Sequence, residues 1–99
     1  MIRHAGLFKW KDGTTPEEVR AVVDGLGGLP GAIPEITGFR FGPDLGLTEG
    51  AADFAVVADF ASVEDWRLYS KHPAHLRVIE EAIVPIRESR MAMQYETGD

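Results

Sequence analysis

Residues 52–60 read ADFAVVADF, a segment apolar on both faces if it is a strand. Side chains alternate along a strand, so Phe54, Val56, Ala58 and Phe60 share one face, and Ala55 and Val57 the other. A strand of this kind needs cover on both sides. The remainder of the 99-residue chain has to supply that cover, or a second molecule does.

The flanking segments say which. Residues 2–10 also alternate, with Ile2, His4, Gly6, Phe8 and Trp10 on one side and Arg3, Ala5, Leu7 and Lys9 on the other. Thr15-Pro16-Glu17-Glu18 is a helix start: a capping threonine, a proline suited to the first turn, and a glutamate that completes a capping box. Val19, Val22, Val23 and Leu26 follow on one helical face, and Gly25, Gly27 and Gly28 are expected to end the helix. LPGAIP is a proline-bounded connection with room for one helical turn. ITGFRFG, residues 36–42, predicts a second strand, and PDLGLTEGA a mobile loop. Ser62 caps the next helix, 62–71, which turns Val63, Trp66, Tyr69 and Ser70 one way and Glu64, Arg67 and Lys71 the other.

His72-Pro73 then interrupts. A residue before proline is pushed out of the helical region, whereas proline itself suits a fresh first turn. Two helices meeting at an angle, 62–71 and 73–84, are therefore expected. On the second, Leu76, Ile79, Ala82, Ile83 and Ile86 form an apolar stripe that includes His75, with Arg77, Glu80, Glu81 and Arg87 opposite. Residues 88–96 form the last strand, with Met91, Met93 and Tyr95 on one face and the two methionines assigned to the core.

The order βαββαβ predicts an α+β, ferredoxin-like protomer: a four-stranded antiparallel sheet with helices on one face, as a single domain over 1–99. The other face, carrying Ala5, Leu7, Ala55 and Val57, is left open, and a bare apolar face predicts association. Two sheets packed face to face in a two-fold homodimer satisfy it.

A net charge of −6 argues against nucleic acid and against an anionic membrane surface. There is no cysteine and no run long enough to span a bilayer, and the opening MIRHAGLFKW lacks the apolar core of a secretory leader, so a cytoplasmic protein is expected. No glycine pattern binds a nucleotide, no Ser/His/Asp arrangement stands out, and no cofactor is expected. His72 and His75 are three apart and His4 could join them, but Pro73 breaks the helical geometry and no carboxylate adjoins them, so no metal is expected either. Trp10 and Trp66 are assigned to packing.

What remains is a trio. His75 lies within the apolar stripe, Tyr69 on the inward face of the preceding helix, and His4 on the same strand face as Phe8. If that face looks at the helices, the three converge on one largely apolar cavity, lined also by Phe8, Phe54 and Val56. A neutral imidazole can accept a proton near physiological pH, and a phenol can donate to a carbonyl or a developing enolate. The same residues also fit plain packing, with the imidazole donating to a backbone carbonyl.

YSKHPAH before an apolar helix, with IRHAGLFKWK as the opening strand and FAVVADF as the third, resembles the stress-responsive dimeric α/β-barrel (Dabb) family over nearly the whole chain. Its most specific part is the HPxH segment after a tyrosine. The resemblance implies a ferredoxin-like protomer whose sheet pairs with a second copy. One plant member is a polyketide cyclase acting by aldol condensation. Its pattern implies Tyr69 and His75 as the catalytic pair, with His4 and His72 as pocket residues. The chain departs from that member in carrying Phe54 where the relative's third strand has histidine, and Val22 and Val23 where the first helix has phenylalanines. Three readings stay open: cofactor-free, cyclase-like proton transfer on a small carbonyl compound; a non-catalytic dimer binding a small apolar or aromatic ligand; and a cofactor-free monooxygenase-like enzyme.

Overall fold

In a computed structural model, which describes residues 1–98, the strands β1 (Ile2–Trp10), β2 (Ile36–Pro43), β3 (Phe54–Phe60) and β4 (Arg87–Glu96) form one antiparallel sheet in the order β2–β3–β1–β4. That is the ferredoxin-like α+β arrangement. The helices α1 (Pro16–Gly27), α2 (Leu29–Ala32), α3 (Val63–Lys71) and α4 (Pro73–Val78) connect the strands, and α4 runs on into a π-helical turn over Ile79–Ile83. Among the described residues no helix is long and apolar enough to cross a membrane.

Local chemistry sets these boundaries. Thr15 Oγ1 accepts from the Glu18 N–H at 3.2 Å and Glu18 Oε1 accepts from the Thr15 N–H at 2.9 Å, closing the capping box. Such a cap is worth about 1 kcal/mol. Ser62 caps α3 by accepting from the Asp65 N–H. His72 has φ −65° and ψ 135°, so the chain leaves α3 at the residue before proline and re-enters a helix at Pro73.

The helix-facing side of the sheet is the core. Phe54, Phe60, Val22, Leu29 and Ile33 are completely enclosed. Truncating a phenylalanine in such a site costs about 3–5 kcal/mol. Phe8, Trp10 and Phe54 pack ring against ring along the sheet, and Phe60 packs on Tyr69 at 4.9 Å between ring centroids.

Several expectations need correction. Gly25 does not end α1, which runs to Gly27. Gly25 is instead where α1 presses on α4: a Cβ there would sit 3.0 Å from Val78 Cγ1. The third strand begins at Phe54 rather than residue 52, because Asp53 bonds to the end of β1, with its carboxylate accepting from the Trp10 N–H at 2.8 Å. Val63 and Leu76 are exposed, not inward. The π turn explains Leu76: Val84 N–H bonds to Ile79 O, widening the helix by one residue and re-aiming its face, so that Val78, Ile79, Ala82 and Ile83 point inward.

Met91 and Met93 do not join the core; they are 74% and 59% exposed on the far side of the sheet. Their cross-strand partners are Leu7 and Ala5, and Leu7 also pairs with Ala55 and Ala5 with Val57. One continuous apolar face therefore crosses β3, β1 and β4. At its Arg3 end a two-pronged ion pair holds Arg3 to Asp59, with Nε–Oδ1 at 2.7 Å and Nη2–Oδ2 at 3.1 Å.

Candidate functional site

A cavity of about 240 Å³ lies between the helix layer and the sheet. Its floor is His4 and Phe8 of β1 and Val56 of β3. Its roof is Trp66 and Tyr69 of α3 with His75 and Val78 of α4, and Leu26, Ile79 and Ile83 close its apolar side. Of the residues expected at the site, the fold thus brings His4, Phe8, Val56, Tyr69 and His75 together. It does not bring Phe54 or His72. Phe54 is a core residue that also borders a groove by the β2–β3 loop, beside Leu45 and Leu47. His72 is spent on the backbone: its Nδ1 accepts from the Ala74 N–H at 3.0 Å, capping α4.

The α3–α4 joint positions the central pair. Tyr69 is in the last turn of α3 and His75 in the first of α4, and their ring centroids are 4.2 Å apart. Without the extended His72 the two rings would belong to one rod, six residues apart and on different faces.

The two cavity imidazoles are held in opposite tautomers. His75 Nδ1 lies 3.3 Å from the Ser70 carbonyl oxygen. A carbonyl only accepts, so Nδ1 carries the proton and Nε2 is a free lone pair. His4 Nδ1 receives the Trp66 indole N–H at 3.4 Å and the Gln94 amide N–H at 2.9 Å. An indole N–H only donates, so His4 Nδ1 is the acceptor and Nε2 bears the hydrogen. That Nε2 stands over Gly6, 3.8 Å from where a Cβ would be. The bonds that orient His4 and His75 leave the Tyr69 hydroxyl out.

Burial fixes the charge states. It pushes the His4 imidazole down to about 4, helped by Arg90 and His75, and it lowers His75, against the pull of the Ser70 carbonyl and with help from Arg90. The Tyr69 phenol is pushed up to about 12 by burial. At neutral pH the cavity therefore offers one basic nitrogen, on His75, and two neutral donors, the His4 N–H and the Tyr69 O–H. This set can take a proton from carbon and hydrogen-bond the oxygen on which negative charge then develops.

Sequence reasoning missed three participants. Trp66, assigned to packing, lines the cavity and sets the His4 tautomer. Arg87, assigned to the solvent face of a helix, is half-buried at the cavity as the first residue of β4. Arg90 lines it too. Three residues apart, two strand positions normally face opposite ways. Here the β1–β4 register slips at Lys9/Trp10: Arg87 pairs with Trp10 and Ser89 with Lys9, leaving Glu88 as the extra residue. The bulge turns Arg87 and Arg90 to the same side, and nothing in the local composition marks it.

The model of the stress responsive A/B barrel domain (Dabb) matches residues 2–97. A stress-response A/B barrel domain-containing protein of Arabidopsis thaliana is 27% identical over 96 residues; the match takes in 96% of this chain but 36% of that protein's length. Among solved structures, a dimeric ferredoxin-like protein of unknown function from Thermobifida fusca superposes with a TM-score of 0.90 at 44% identity, covering 97% of this chain and 90% of that one. A hydroxynitrile lyase from Passiflora edulis shares the fold, with a TM-score of 0.82 at 22% identity over 95% of this chain and 90% of that one. With the family's pattern running through all four strands and every helix between them, the chain belongs to the stress-responsive A/B barrel (Dabb) family.

Proposed function

We propose that the protein, as a single Dabb domain over residues 1–99, is a cytoplasmic homodimer whose protomers each catalyse cofactor-free proton transfer on a small carbonyl compound. The observation that carries the reading is the Tyr69–His75 pair, rings 4.2 Å apart on the wall of a cavity of about 240 Å³, with the His75 proton tied to Ser70 and Nε2 left basic. In this scheme His75 Nε2 takes a proton from the carbon beside the carbonyl. The Tyr69 O–H and the His4 N–H hydrogen-bond the oxygen as the enolate forms. Returning the proton from His75 to the opposite face or to a different carbon completes an isomerisation; alternatively the enolate carbon attacks a second carbonyl, and the alkoxide so formed takes the proton back from His75, giving an aldol closure of the cyclase type. The hydroxynitrile lyase on the same fold supports catalysis only at the level of the fold.

The dimer rests on the apolar face through Leu7, Val57, Met91 and Met93, and on the dimeric state of the Thermobifida fusca neighbour. Sedimentation at micromolar concentration tests it, and a monomer would overturn it.

The chemistry is tested by following loss of the α-proton signals of small aryl ketones and keto acids in D₂O by NMR. Acceleration by the wild type, lost in folded Tyr69→Phe and His75→Ala variants, is the expected result. No acceleration across the panel would overturn catalysis. If the same compounds still shifted the His75 resonances, the protein would be a ligand-binding dimer instead.

A further inference from the structure

Arg87 and Arg90 have no role in the scheme above, yet both line its cavity. The chain carries a net charge of −6, but the cavity wall includes these two guanidinium groups and no carboxylate. Among the described residues the salt bridges join Arg3 to Asp59 and Lys9 to Asp53; neither Arg87 nor Arg90 is in one. Arg87 is half-buried, and a cation drawn out of water without a counter-charge is unfavourable. Both are delivered by the Glu88 bulge, which aims two residues of one strand edge at a single site.

We infer that Arg87 and Arg90 bind an oxyanionic head on the substrate, a carboxylate or a phosphate, so that the site acts on small carbonyl compounds carrying such a group. The inference rests on the proton-transfer reading and names its substrate class. A guanidinium presents paired N–H donors that match two oxygens of one carboxylate or phosphate. The arginines come from the sheet edge and the Tyr69–His75 pair from the helix joint. An anion held on the sheet side leaves the rest of the molecule under the helices, against Val78, Ile79 and Ile83. Arg90 also acts on the base itself, because it is one of the charges that disfavour a proton on His75. An anion seated on Arg90 cancels that influence and makes His75 more basic when substrate is bound.

The test uses three probes that differ in the head: phenylpyruvate, phenyl phosphate and the neutral phenylacetone. Binding is measured by the shift of the His75 imidazole resonances in the wild-type protein, in Arg90→Gln, in Arg87→Gln and in the charge-retaining Arg90→Lys. One of the two anions is expected to bind about tenfold or more tightly than phenylacetone. The preference should fall with added salt, shrink in Arg90→Lys and largely vanish in either glutamine variant, with anion affinity falling far more than phenylacetone affinity. Which anion binds better identifies the head. Equal affinity for all three probes, or an anion preference that survives both glutamine variants, overturns the inference while leaving the cavity as a binding site. Failure of all three to reach His75 overturns both this inference and the site reading beneath it.

Discussion

His4 makes the fold sensitive to mild acid, and the effect can be sized. In the folded protein its imidazole resists protonation until about pH 4, against an ordinary value of 6.5, chiefly because it is buried. The unfolded chain takes up that proton near the ordinary value. Between the two, acid favours the unfolded state, so the stability is full above 6.5 and is lost as pH falls towards 4. At about 1.4 kcal/mol per tenfold change in proton affinity, the whole drop corresponds to a ceiling of about 3.4 kcal/mol. The ring is partly reached by solvent, and screening brings the loss expected by about pH 4.5 down to roughly 1.5 kcal/mol. Stopping there also avoids the window of Asp59, whose carboxylate the Arg3 ion pair holds below its ordinary 3.8.

The perturbation is His4→Gln, which keeps an oxygen to accept from the Trp66 indole but has nothing to titrate. Urea unfolding, read by tryptophan fluorescence at neutral pH and at about pH 4.5, should show a wild-type loss larger than that of His4→Gln by roughly 1.5 kcal/mol. Protein concentration must be held constant, because dimerisation would otherwise enter the comparison. Equal losses in the two proteins would refute the reasoning, and so would an NMR titration placing the His4 midpoint near 6.5.

Other expectations are more compact. Removing His75 as Ala, or the Tyr69 hydroxyl as Phe, should lower any turnover about 10²–10⁴-fold with the far-ultraviolet spectrum intact, and a loss below tenfold would deny them the acid–base role. Gly25→Ala drives a methyl onto Val78, whose branched side chain cannot swing away, so melting should show a net loss of about 1 kcal/mol, and the same substitution made in a Val78→Ala background should cost less; a stabilised single variant would mean the α1–α4 contact yields easily. Val57→Asp, at the centre of the open sheet face, should sediment as a monomer at concentrations where the wild type is dimeric, and an unchanged sedimentation profile would move the interface elsewhere.

The parts legible in the chain are those governed by one local rule. Alternation places His4 and Phe8 on one face of β1, and the Thr15–Glu18 box and the His72-Pro73 joint set where helices begin. The same joint makes it possible to expect Tyr69 and His75 in one cavity. Two of the misplacements trace to a break in period. Leu76 follows an ideal helical stripe that the π turn over Ile79–Ile83 abolishes. Arg87 reads as helix surface because the helical period is carried on past residue 83, whereas the strand already begins at Arg87 and the Glu88 bulge turns it to the cavity side. Met91 and Met93 are apolar enough for a core, and whether a strand face is core or interface depends on what covers it, which residue type does not encode. His72 carries the chemistry of a pocket residue, but its position beside an uncapped N–H decides its use.

The Glu88 bulge gives β4 a property that a comparison of residue types alone would overlook. Losing that one residue would leave every arginine of the strand in place while sending Arg87 out of phase with Arg90. In family members that share this strand, a single-residue gap between the two arginines would leave only one of them facing the cavity. If the two arginines hold an oxyanionic head, such gaps are characters in their own right when the family is divided by substrate.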